Sequence, residues 1–398
     1  MLIGFVTTEY VTEHNFSGGL ANYLHRVAKA LVSFGNEVHI IVLSEIDGTE
    51  FEHQGIQIHR LTSGKIQQLV NRIGQYKIYE TSKCLDFSFQ AYRKIMRLHK
   101  QRPFDIIQFP DWDASGVVSS FLLPIPQVTR ISGYRPVWSE MSGNKRNFDE
   151  RIMEWLEWLQ MRFSKNIFAP SYTLKKLLAQ KAKITNVDVI RTPFYLETLN
   201  YDSSIFKQYL QGKDYLLFFG RFQLHKGFHI LAQALPKVFE KHSDCYAVFV
   251  GLDMPSPLSP SMKEYAMKLC SQYSDRIIFI EQVAHTKLYP IISGAKLVVL
   301  PSLIDNFPNA CLEAMGLGKA IIGTIGASFE EIITEGETGF LVPTNNVESL
   351  TLKINDAWVH PDLETIGKAG KYKVEDFSIK NTVNQLLAYY KKVLELNK

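Results

Sequence analysis

The chain has 398 residues, more than one ordinary hydrophobic core accommodates and enough for two α/β domains. Its composition, with 46% apolar, 21% charged and 12% aromatic residues, is that of a folded globular protein and excludes extended disorder. The 44 basic and 40 acidic side chains leave a formal net charge of +4. That charge is too small to indicate a nucleic-acid partner.

The cysteines and the N-terminus bear on the cellular compartment. Cys84, Cys245, Cys270 and Cys311 are scattered, which predicts reduced thiols in a reducing compartment and neither a disulfide frame nor a zinc site. The segment Met1–Val6 lacks a basic region and a cleavage site, so we interpret it as a strand and not as a signal peptide. No segment approaches the roughly 18 apolar residues of a membrane span. We therefore expect a cytoplasmic protein, with any membrane contact peripheral.

The first elements in chain order form a strand–helix–strand unit. An apolar strand, Leu2–Val6, leads through a loop with Gly18 and Gly19 into an amphipathic helix at Leu20–Phe34. A second buried strand follows at Val38–Leu43. This order predicts a parallel sheet.

The same alternation continues in both halves of the chain, which a polar segment at Tyr195–Asp214 separates as a linker. We predict a Rossmann-like N-terminal domain over residues 1–193 and a second one over residues 194–377. The terminal helix, within residues 378–398, is expected to pack back on the first domain. The further predicted strands are Phe104–Phe109, Gln127–Ile131, Ile167–Ala169, Val187–Ile190, Tyr215–Phe219, Tyr246–Val250, Ile277–Ile280, Leu297–Leu300, Ala320–Gly323 and Phe340–Val342.

A basic loop follows the predicted strand Tyr215–Phe219. The segment Gly220–Gly227 carries Arg221 and Lys226. Ligands of open α/β sheets bind just beyond the carboxyl ends of the strands, and guanidinium and ammonium groups suit phosphate oxygens. The loop therefore indicates an anion site, the alternative being a solvated basic turn.

A second candidate loop lies within Pro301–Met315, after another buried strand. Asp305 or Asn306 is predicted to cap a helix whose first turn holds Pro308. The free N–H groups of that helix would favour an anion. Glu313 lies one turn further in, where a carboxylate can accept hydrogen bonds from a ribose diol. The alternative is a capped helix with one buried carboxylate.

Together these motifs resemble the large retaining glycosyltransferase family of GT-B fold, the GT4-type or group 1 glycosyltransferases, which includes sucrose synthases and bacterial mannosyltransferases. The resemblance covers nearly the whole chain. It implies two Rossmann-like α/β domains that face each other across a cleft holding the donor. The matching segments are the glycine pair Gly18–Gly19, the loop Gly220-Arg221…Lys226-Gly227, the paired acids Asp305 and Glu313, and the closing segments Gly326–Glu331 and Gly336–Pro343.

By this resemblance, three residues would be catalytic: Arg221 and Lys226 hold the diphosphate, and Asp305 faces the transferred sugar. Glu313 would bind the ribose hydroxyls. The remaining residues implied in donor binding are Gly18 and Gly19 at a helix N-terminus, and Phe307, Asn309 and Ala310 through backbone amides.

The resemblance implies transfer of a hexosyl group from a UDP- or GDP-linked sugar, with retention, to a sugar, lipid-linked or small-molecule acceptor. Neither a metal nor a cofactor is expected, because arginine, lysine and helix dipoles would stabilise the departing diphosphate. The nucleotide sugar is a substrate. Asp111-Trp-Asp113 is interpreted as a loop lining the acceptor side.

Two residues depart from the family pattern. The first acid is commonly Glu, whereas this chain has the shorter Asp305. The family often has a His where this chain has Ser132, so no general base is carried over. This agrees with a mechanism in which the leaving phosphate takes the acceptor proton.

Three other functions compete with transfer. A nucleotide-sugar epimerase would share the two-domain fold. An inactive sugar-binding relative is suggested by Ser132 and Asp305. A nicotinamide oxidoreductase is disfavoured, because the loop at Ser17–Gly19 lacks the G-x-G-x-x-G pattern.

The helix near residues 83–102 offers a candidate membrane contact. Arg93, Arg97 and Lys100 flank an apolar stripe formed by Leu85, Phe89, Tyr92 and Met96. Such a surface suits an anionic membrane or a phospholipid-linked acceptor, although charge at this density usually forms a solvated face. His225 and His285 lie near the candidate loops and are interpreted as ordinary surface or packing residues.

Overall fold

A computed structural model describes residues 1–14, 19–62, 64–73, 77–143, 145–196 and 200–397. The chain forms two compact units, and each contains more than one segment of the sequence. The first unit comprises Met1–Pro136, Lys145–Pro193 and Ile379–Lys398. The second comprises Val137–Asn144 and Phe194–Ser378.

The first unit is built on an eight-stranded sheet. Its strands are β1 (Leu2–Thr7), β2 (Glu37–Leu43), β3 (Glu50–His53), β4 (Ile56–Leu61), β5 (Ile106–Pro110), β6 (Gln127–Arg130), β7 (Ile167–Ala169) and β8 (Asp188–Val189). They lie in the order β3-β4-β2-β1-β5-β6-β7-β8, and all pair in parallel except β3, which is antiparallel to β4. Every residue of β1 is buried, as expected for a central parallel strand covered on both faces.

The helices of this part of the chain connect the parallel strands and supply the core. They are α1 (Gly19–Ser33), α2 (Lys65–Ile73), α3 (Tyr79–Gln101), α4 (Val117–Leu122), α5 (Arg135–Ser142), α6 (Phe148–Phe163) and α7 (Tyr172–Leu177). The exception is α5, because its residues 137–142 belong to the second unit. On α1, Leu24, Val27 and Leu31 recur at helical spacing and are buried against the sheet.

The second unit contains a six-stranded, wholly parallel sheet. Its strands are β9 (Asp214–Phe219), β10 (Cys245–Val250), β11 (Ile277–Ile280), β12 (Leu297–Val299), β13 (Ile321–Ile325) and β14 (Phe340–Pro343). Their order is β11-β10-β9-β12-β13-β14. The helices are α8 (Phe228–Lys241), α9 (Met262–Leu269), α10 (His285–Gly294), α11 (Asn309–Gly316), α12 (Val347–Trp358) and α13 (Leu363–Val374).

The last helix, α14 (Ile379–Leu396), belongs to the first unit although it follows the second in sequence. Val383, Leu386 and Val393 are buried in the same core as α1. The buried Tyr390 hydroxyl donates a hydrogen bond of 2.6 Å to the side-chain oxygen of Gln108 on β5. This helix therefore completes the core of the first unit.

Strand order fixes where each sheet can bind a ligand. In the first unit the connections reverse direction between the adjacent strands β1 and β5, and in the second between β9 and β12. At such a point the loops after two neighbouring strands run apart and leave a crevice at the carboxyl edge of the sheet. Each unit thus has one switch point.

The predicted fold of two Rossmann-like α/β domains is confirmed, and all the predicted strands are present. The hairpin β3–β4 was not predicted, because its edge strand Glu50–His53 is polar and only four residues long. Its turn at Gln54 and Gly55 has φ values of 54° and 78°, the backbone that a tight hairpin turn requires. The expected linker contains a short π-helical segment, Phe206–Leu210.

Helix α3 exposes part of the predicted apolar stripe and buries other apolar residues. Phe87, Ala91 and Ile95 enter the core, whereas Leu85 and Phe89 are each 36% exposed. Membrane contact through this helix therefore stays a prediction. None of the helices in the described ranges is long and apolar enough to cross a membrane.

Candidate functional site

Two loops pack tightly against each other at the switch point of the second unit. A Cβ on Gly227 would lie 1.8 Å from the carbonyl oxygen of Pro301, so only glycine permits this approach. Gly227 also has φ of 69°, which glycine adopts without strain. Leu303 N–H donates a 2.8 Å hydrogen bond to the carbonyl of His225. The loop after β9 is thereby joined to the loop after β12.

The loop after β13 joins the same assembly through Ser328. This residue has φ of 66°, and its hydroxyl donates a 3.0 Å hydrogen bond to the carbonyl of Asp305. Gly326 N–H donates to the carboxylate of Glu330 and closes the turn, at 2.9 Å. Sequence reasoning did not identify Ser328, although it lies within the closing segment Gly326–Glu331. Three loops therefore hold Asp305 in place.

Lys226 and Asp305 meet at this point. The ammonium nitrogen lies 2.6 Å from one carboxylate oxygen, and the side chains are 35% and 14% exposed. The prediction that Asp305 or Asn306 caps the following helix is wrong. Pro308 occupies the N-cap position of α11, with no side-chain cap hydrogen bond.

The N-terminus of α11 retains free donors. Among the described residues, none accepts a hydrogen bond from the backbone N–H of Asn309 or Ala310. The side-chain oxygen of Asn309 is buried and has no hydrogen-bond partner in the described part of the chain. A buried polar atom without a partner is costly, and its partner is often a water or a ligand. This helix end therefore has unsatisfied groups of both kinds, donors and an acceptor.

His225 lies next to the charged pair and is neutral at ordinary pH. Burial, together with the positive charges of Lys226 and Arg221, lowers its pKa to about 4, although the Asp305 carboxylate opposes this shift. Its ring nitrogen Nδ1 lies 3.1 Å from the hydroxyl of Ser142. His225 thus contacts the segment Val137–Asn144, which belongs to the second unit.

Glu313 projects from the second turn of α11 and is only 8% exposed. Its carboxylate lies 3.8 Å from Nε2 of His285, the first residue of α10. His285 therefore contacts a predicted site residue, which its interpretation as an ordinary histidine did not anticipate. Its ring also packs against Tyr289 at a centroid distance of 5.3 Å.

The other predicted residues lie as follows. Arg221 is exposed in the loop directly after β9. Phe307 is buried, with its ring 5.2 Å from that of Phe377. Gly19 begins α1 in the first unit, and Gly18 lies outside the described residues.

The first unit carries a second polar cluster, after β5. Asp113 accepts hydrogen bonds from Arg135 at 2.8 Å and from the Thr8 hydroxyl at 2.9 Å. Arg135 also donates to the buried carboxylate of Glu157 at 2.6 Å. Burial raises the pKa of Glu157, and the Arg135 guanidinium opposes that shift. The loop predicted to line an acceptor is therefore fixed by charged hydrogen bonds.

Asp111 is buried next to this cluster. Its carboxylate accepts a 2.6 Å hydrogen bond from the backbone N–H of Ser132. Burial and the nearby Glu157 charge raise the pKa of Asp111 to about 8. The Ser132 hydroxyl accepts from Arg130 at 2.9 Å. Ser132, which stands where a histidine is common, is thus part of a structural network.

Comparison with known proteins bears on the family and the fold. A family model for glycosyl transferases group 1 matches residues 202–372, and one for glycosyltransferase family 4 matches residues 17–197. An uncharacterized glycosyltransferase of Methanocaldococcus jannaschii is 24% identical over 414 aligned residues, which cover 100% of this chain and 99% of the relative.

Two solved structures share the fold over almost the full length. Sucrose-phosphate synthase from Thermosynechococcus elongatus superimposes with a TM-score of 0.77 at 18% identity, covering 99% of both chains. Anabaena HepE in complex with UDP-glucose superimposes with a TM-score of 0.69 at 19% identity, covering 98% of both chains.

Proposed function

Because the chain belongs to the group 1 glycosyltransferases of GT4 type, we propose that it transfers a hexosyl group from a UDP- or GDP-linked sugar, with retention of configuration. The second unit would be the donor domain. The proposal rests chiefly on the 2.6 Å contact between Lys226 and Asp305 at the switch point, beside the free N-terminus of α11. The HepE structure, which holds UDP-glucose on the same fold, supports a nucleotide-sugar donor.

The diphosphate would lie against Arg221, Lys226 and the start of α11. Two cationic side chains and the free N–H groups of Asn309 and Ala310 provide charge-assisted donors for its oxygens. His225, with its pKa lowered to about 4, adds no charge. These groups would stabilise the negative charge that develops as the diphosphate departs, without a metal.

The sugar and the ribose would contact the two acids. Asp305 lies where it can face the positive charge that develops on the anomeric carbon, and the unpartnered oxygen of Asn309 can accept a sugar hydroxyl. Glu313 would accept from the ribose hydroxyls. In the reaction, the bond between the anomeric carbon and the phosphate oxygen breaks, and the acceptor oxygen bonds to that carbon on the same face. The acceptor proton passes to the leaving diphosphate.

Nucleoside diphosphate release from UDP- and GDP-sugars, measured with and without sugar acceptors, tests the proposal. Arg221→Ala and Lys226→Ala should each lower turnover by at least about 10²-fold, since each removes a donor aimed at the leaving group. Lys353→Ala is the control, because Lys353 forms a 2.8 Å ion pair with Glu335 elsewhere in the second unit.

The product distinguishes the competing functions. Near-wild-type turnover in both loop variants would contradict the phosphate site, and a product of inverted anomeric configuration would contradict retention. Interconversion of the donor without nucleotide release would indicate an epimerase. Donor binding without any turnover would indicate an inactive relative.

A further inference from the structure

A groove lies at the amino edge of the sheet in the first unit. Its volume is about 700 Å³, and its lining residues come from the end of α6, from the start of β7 with the segment before it, and from the segment before β8. Binding sites for small organic ligands commonly measure about 300 to 1,000 Å³. Open α/β sheets bind their ligands at the opposite, carboxyl edge. The fold alone therefore does not explain this groove.

The chain that forms the groove is strongly basic. Residues 158–187 contain six basic residues and no acidic one, whereas the whole chain is nearly balanced, with 44 basic and 40 acidic side chains. Three of the six, Arg162, Lys165 and Lys183, line the groove and are exposed. No acidic side chain is among the described residues of the lining. We call this feature the basic groove.

A hydrogen bond joins the two sides of the basic groove. The indole N–H of Trp158 donates to the carbonyl of Ala182 at 3.0 Å. Arg162 lies one turn after Trp158 on α6, and Lys183 directly follows Ala182. Lys183 has φ of 60°, a left-handed backbone that ends the π-helical segment Leu178–Ala182. The bond therefore places Arg162 and Lys183 on facing segments of the same groove.

Two asparagine side chains fix the segment that carries the third cation. The amide of Asn186 donates to the carbonyl of Lys165 at 3.3 Å. The amide of Asn166 donates to the carbonyl of Gln127, the first residue of β6, at 3.0 Å. The backbone of the basic groove is thus held by α6 and by the sheet. A ligand would not have to order it, which reduces the entropy lost on binding.

The cations of the basic groove have no anionic partner in the part of the chain that the structure describes. The carboxylates that follow and precede them most closely in sequence pair with other residues: Asp188 lies 3.8 Å from Lys392, and Glu157 lies 2.6 Å from Arg135. Like charges that share one groove repel each other, and a bound anion would relieve this repulsion. The charge of the groove therefore favours an anionic ligand.

An apolar rim adjoins the basic groove. The ring of Phe163, which lines the groove, lies 4.5 Å from the ring of Phe121, and the two side chains are 50% and 49% exposed. Leu122, next to Phe121, is also exposed. Exposed apolar groups that adjoin one another often mark a contact surface. The rim therefore offers an apolar contact beside the cations.

We infer that the basic groove is a binding site for a ligand that carries phosphate groups. Arg162 offers a planar fork of donors, and Lys165 and Lys183 offer point charges, a combination that suits phosphate oxygens. A soluble phosphate ester and the headgroup of a phospholipid share this chemistry. The inference does not rest on the proposed function, because binding is measured without a sugar donor.

Calorimetric titration with tripolyphosphate and sedimentation with lipid vesicles test the site. Both use a chain that carries Arg221→Ala and Lys226→Ala, since these residues are proposed to hold a diphosphate in the second unit. Arg162→Glu and Lys165→Glu, each added to that chain, should weaken binding by about 5-fold or more, because each reverses a charge in the groove. Raising the NaCl concentration from about 50 mM to about 500 mM should weaken binding by about 10-fold or more.

The two measurements distinguish the two sources of phosphate. If the source is a lipid, vesicles of phosphatidylcholine with about 30% phosphatidylglycerol should bind, and vesicles of phosphatidylcholine alone should not. Phe121→Ser should then weaken vesicle binding by about 5-fold and leave tripolyphosphate binding unchanged, because it removes part of the apolar rim. If the source is a soluble ester, tripolyphosphate should bind and neither kind of vesicle should.

Control variants separate the basic groove from the charge of the whole chain. Lys29→Glu makes the same change of charge at an exposed lysine of α1 and should leave binding unchanged. Lys165→Arg keeps the positive charge and should bind like the parent chain. Because Arg162, Lys165 and Lys29 are all exposed, their variants should melt like the parent, and thermal melting checks that each one folds.

The result can contradict the inference in three ways. Neither tripolyphosphate nor phosphatidylglycerol vesicles bind, or binding is unchanged in both Arg162→Glu and Lys165→Glu, or Lys29→Glu weakens binding as much as they do. Any one of these results would overturn the site. Turnover of a nucleotide sugar enters neither measurement, so failure of the proposed function would leave the inference standing.

Discussion

The Lys226 ammonium lies 2.6 Å from the carboxylate of Asp305, although the two residues are 79 positions apart in sequence. They come from the loops after β9 and β12, the two strands between which the sheet reverses its connections. In the absence of a donor, each group neutralises the other. In the proposed function, a bound diphosphate would give Lys226 a second anionic partner.

Asp305 should act on the rate more than on donor affinity. Asp305→Asn removes the negative charge without changing the size of the side chain, so kcat should fall by at least about 10-fold, with a smaller change in KM. Asp305→Glu should be tolerated better, since it restores the family's commoner residue. Steady-state kinetics and melting temperatures of both variants check this.

If Asp305 has only a structural role, its variants should lose stability and keep their turnover. Loss of a partly exposed ion pair costs up to about 1 kcal/mol of stability and changes turnover little. If Asp305→Asn melts earlier than the wild type but turns over at the wild-type rate, the proposed role is wrong.

Glu313 should affect donor affinity instead. If it binds the ribose, which does not change during the reaction, Glu313→Gln should raise the donor KM by about 10- to 100-fold and leave kcat nearly constant. Glu348→Gln, an exposed glutamate at the start of α12, serves as the control. If the donor KM of Glu313→Gln is unchanged, Glu313 does not bind the ribose, and its carboxylate has only a structural role beside His285.

Activity should survive chelation. The proposed stabilising groups for the diphosphate are Arg221, Lys226 and the N-terminus of α11, none of which depends on a metal. Turnover in EDTA should equal turnover in untreated enzyme when nucleotide release is measured by chromatography. Complete loss that Mn²⁺ or Mg²⁺ restores would contradict the metal-free mechanism.

Asp111 should make the first unit less stable as the pH rises. Its pKa is raised to about 8 in the fold, from a value of 3.8, so folding favours the protonated form. The resulting stability is fully present below about pH 4 and is lost as the pH rises through about pH 8. Asp111→Asn cannot ionise and still accepts the hydrogen bond from Ser132.

Melting temperatures measured between about pH 4 and about pH 8 check whether the pKa of Asp111 is raised in the folded protein. The wild type should lose more stability between about pH 4 and about pH 8 than Asp111→Asn does. Asp188→Asn, a change at a side chain that is 49% exposed, should behave like the wild type. If the melting temperatures of the wild type and Asp111→Asn change with pH in the same way, burial does not raise the pKa of the Asp111 carboxyl.

The sequence predicted the sheets and the candidate loops well, because alternating apolar strands and helical segments are local patterns. It also singled out Arg221, Lys226, Asp305 and Glu313 as candidates, since charged residues directly after buried strands stand out, and their roles stay predictions. The predicted start of α11 was wrong. Pro308 keeps the preceding residue out of helical geometry, so the helix begins after it and the Asp305 carboxylate is available to Lys226.

Contacts between distant segments could not be predicted. The hydrogen bond from Ser328 to Asp305 depends on how two loops pack, and the 3.8 Å approach of His285 to Glu313 depends on the placement of α10 against α11. Which apolar residues of α3 enter the core could not be predicted either, because apolar residues occupy more than one side of that helix and tertiary packing decides between them.

Helix α14 affects the order in which the chain can fold during synthesis. Val383, Leu386 and Tyr390 complete the core of the first unit, yet the ribosome makes them only after the whole of residues 194–378. Domains generally fold as they emerge, the N-terminal one first. Here the first unit must wait with part of its apolar surface uncovered while the second is translated. Nascent chains arrested before residue 379 should therefore bind holdase chaperones through their N-terminal half.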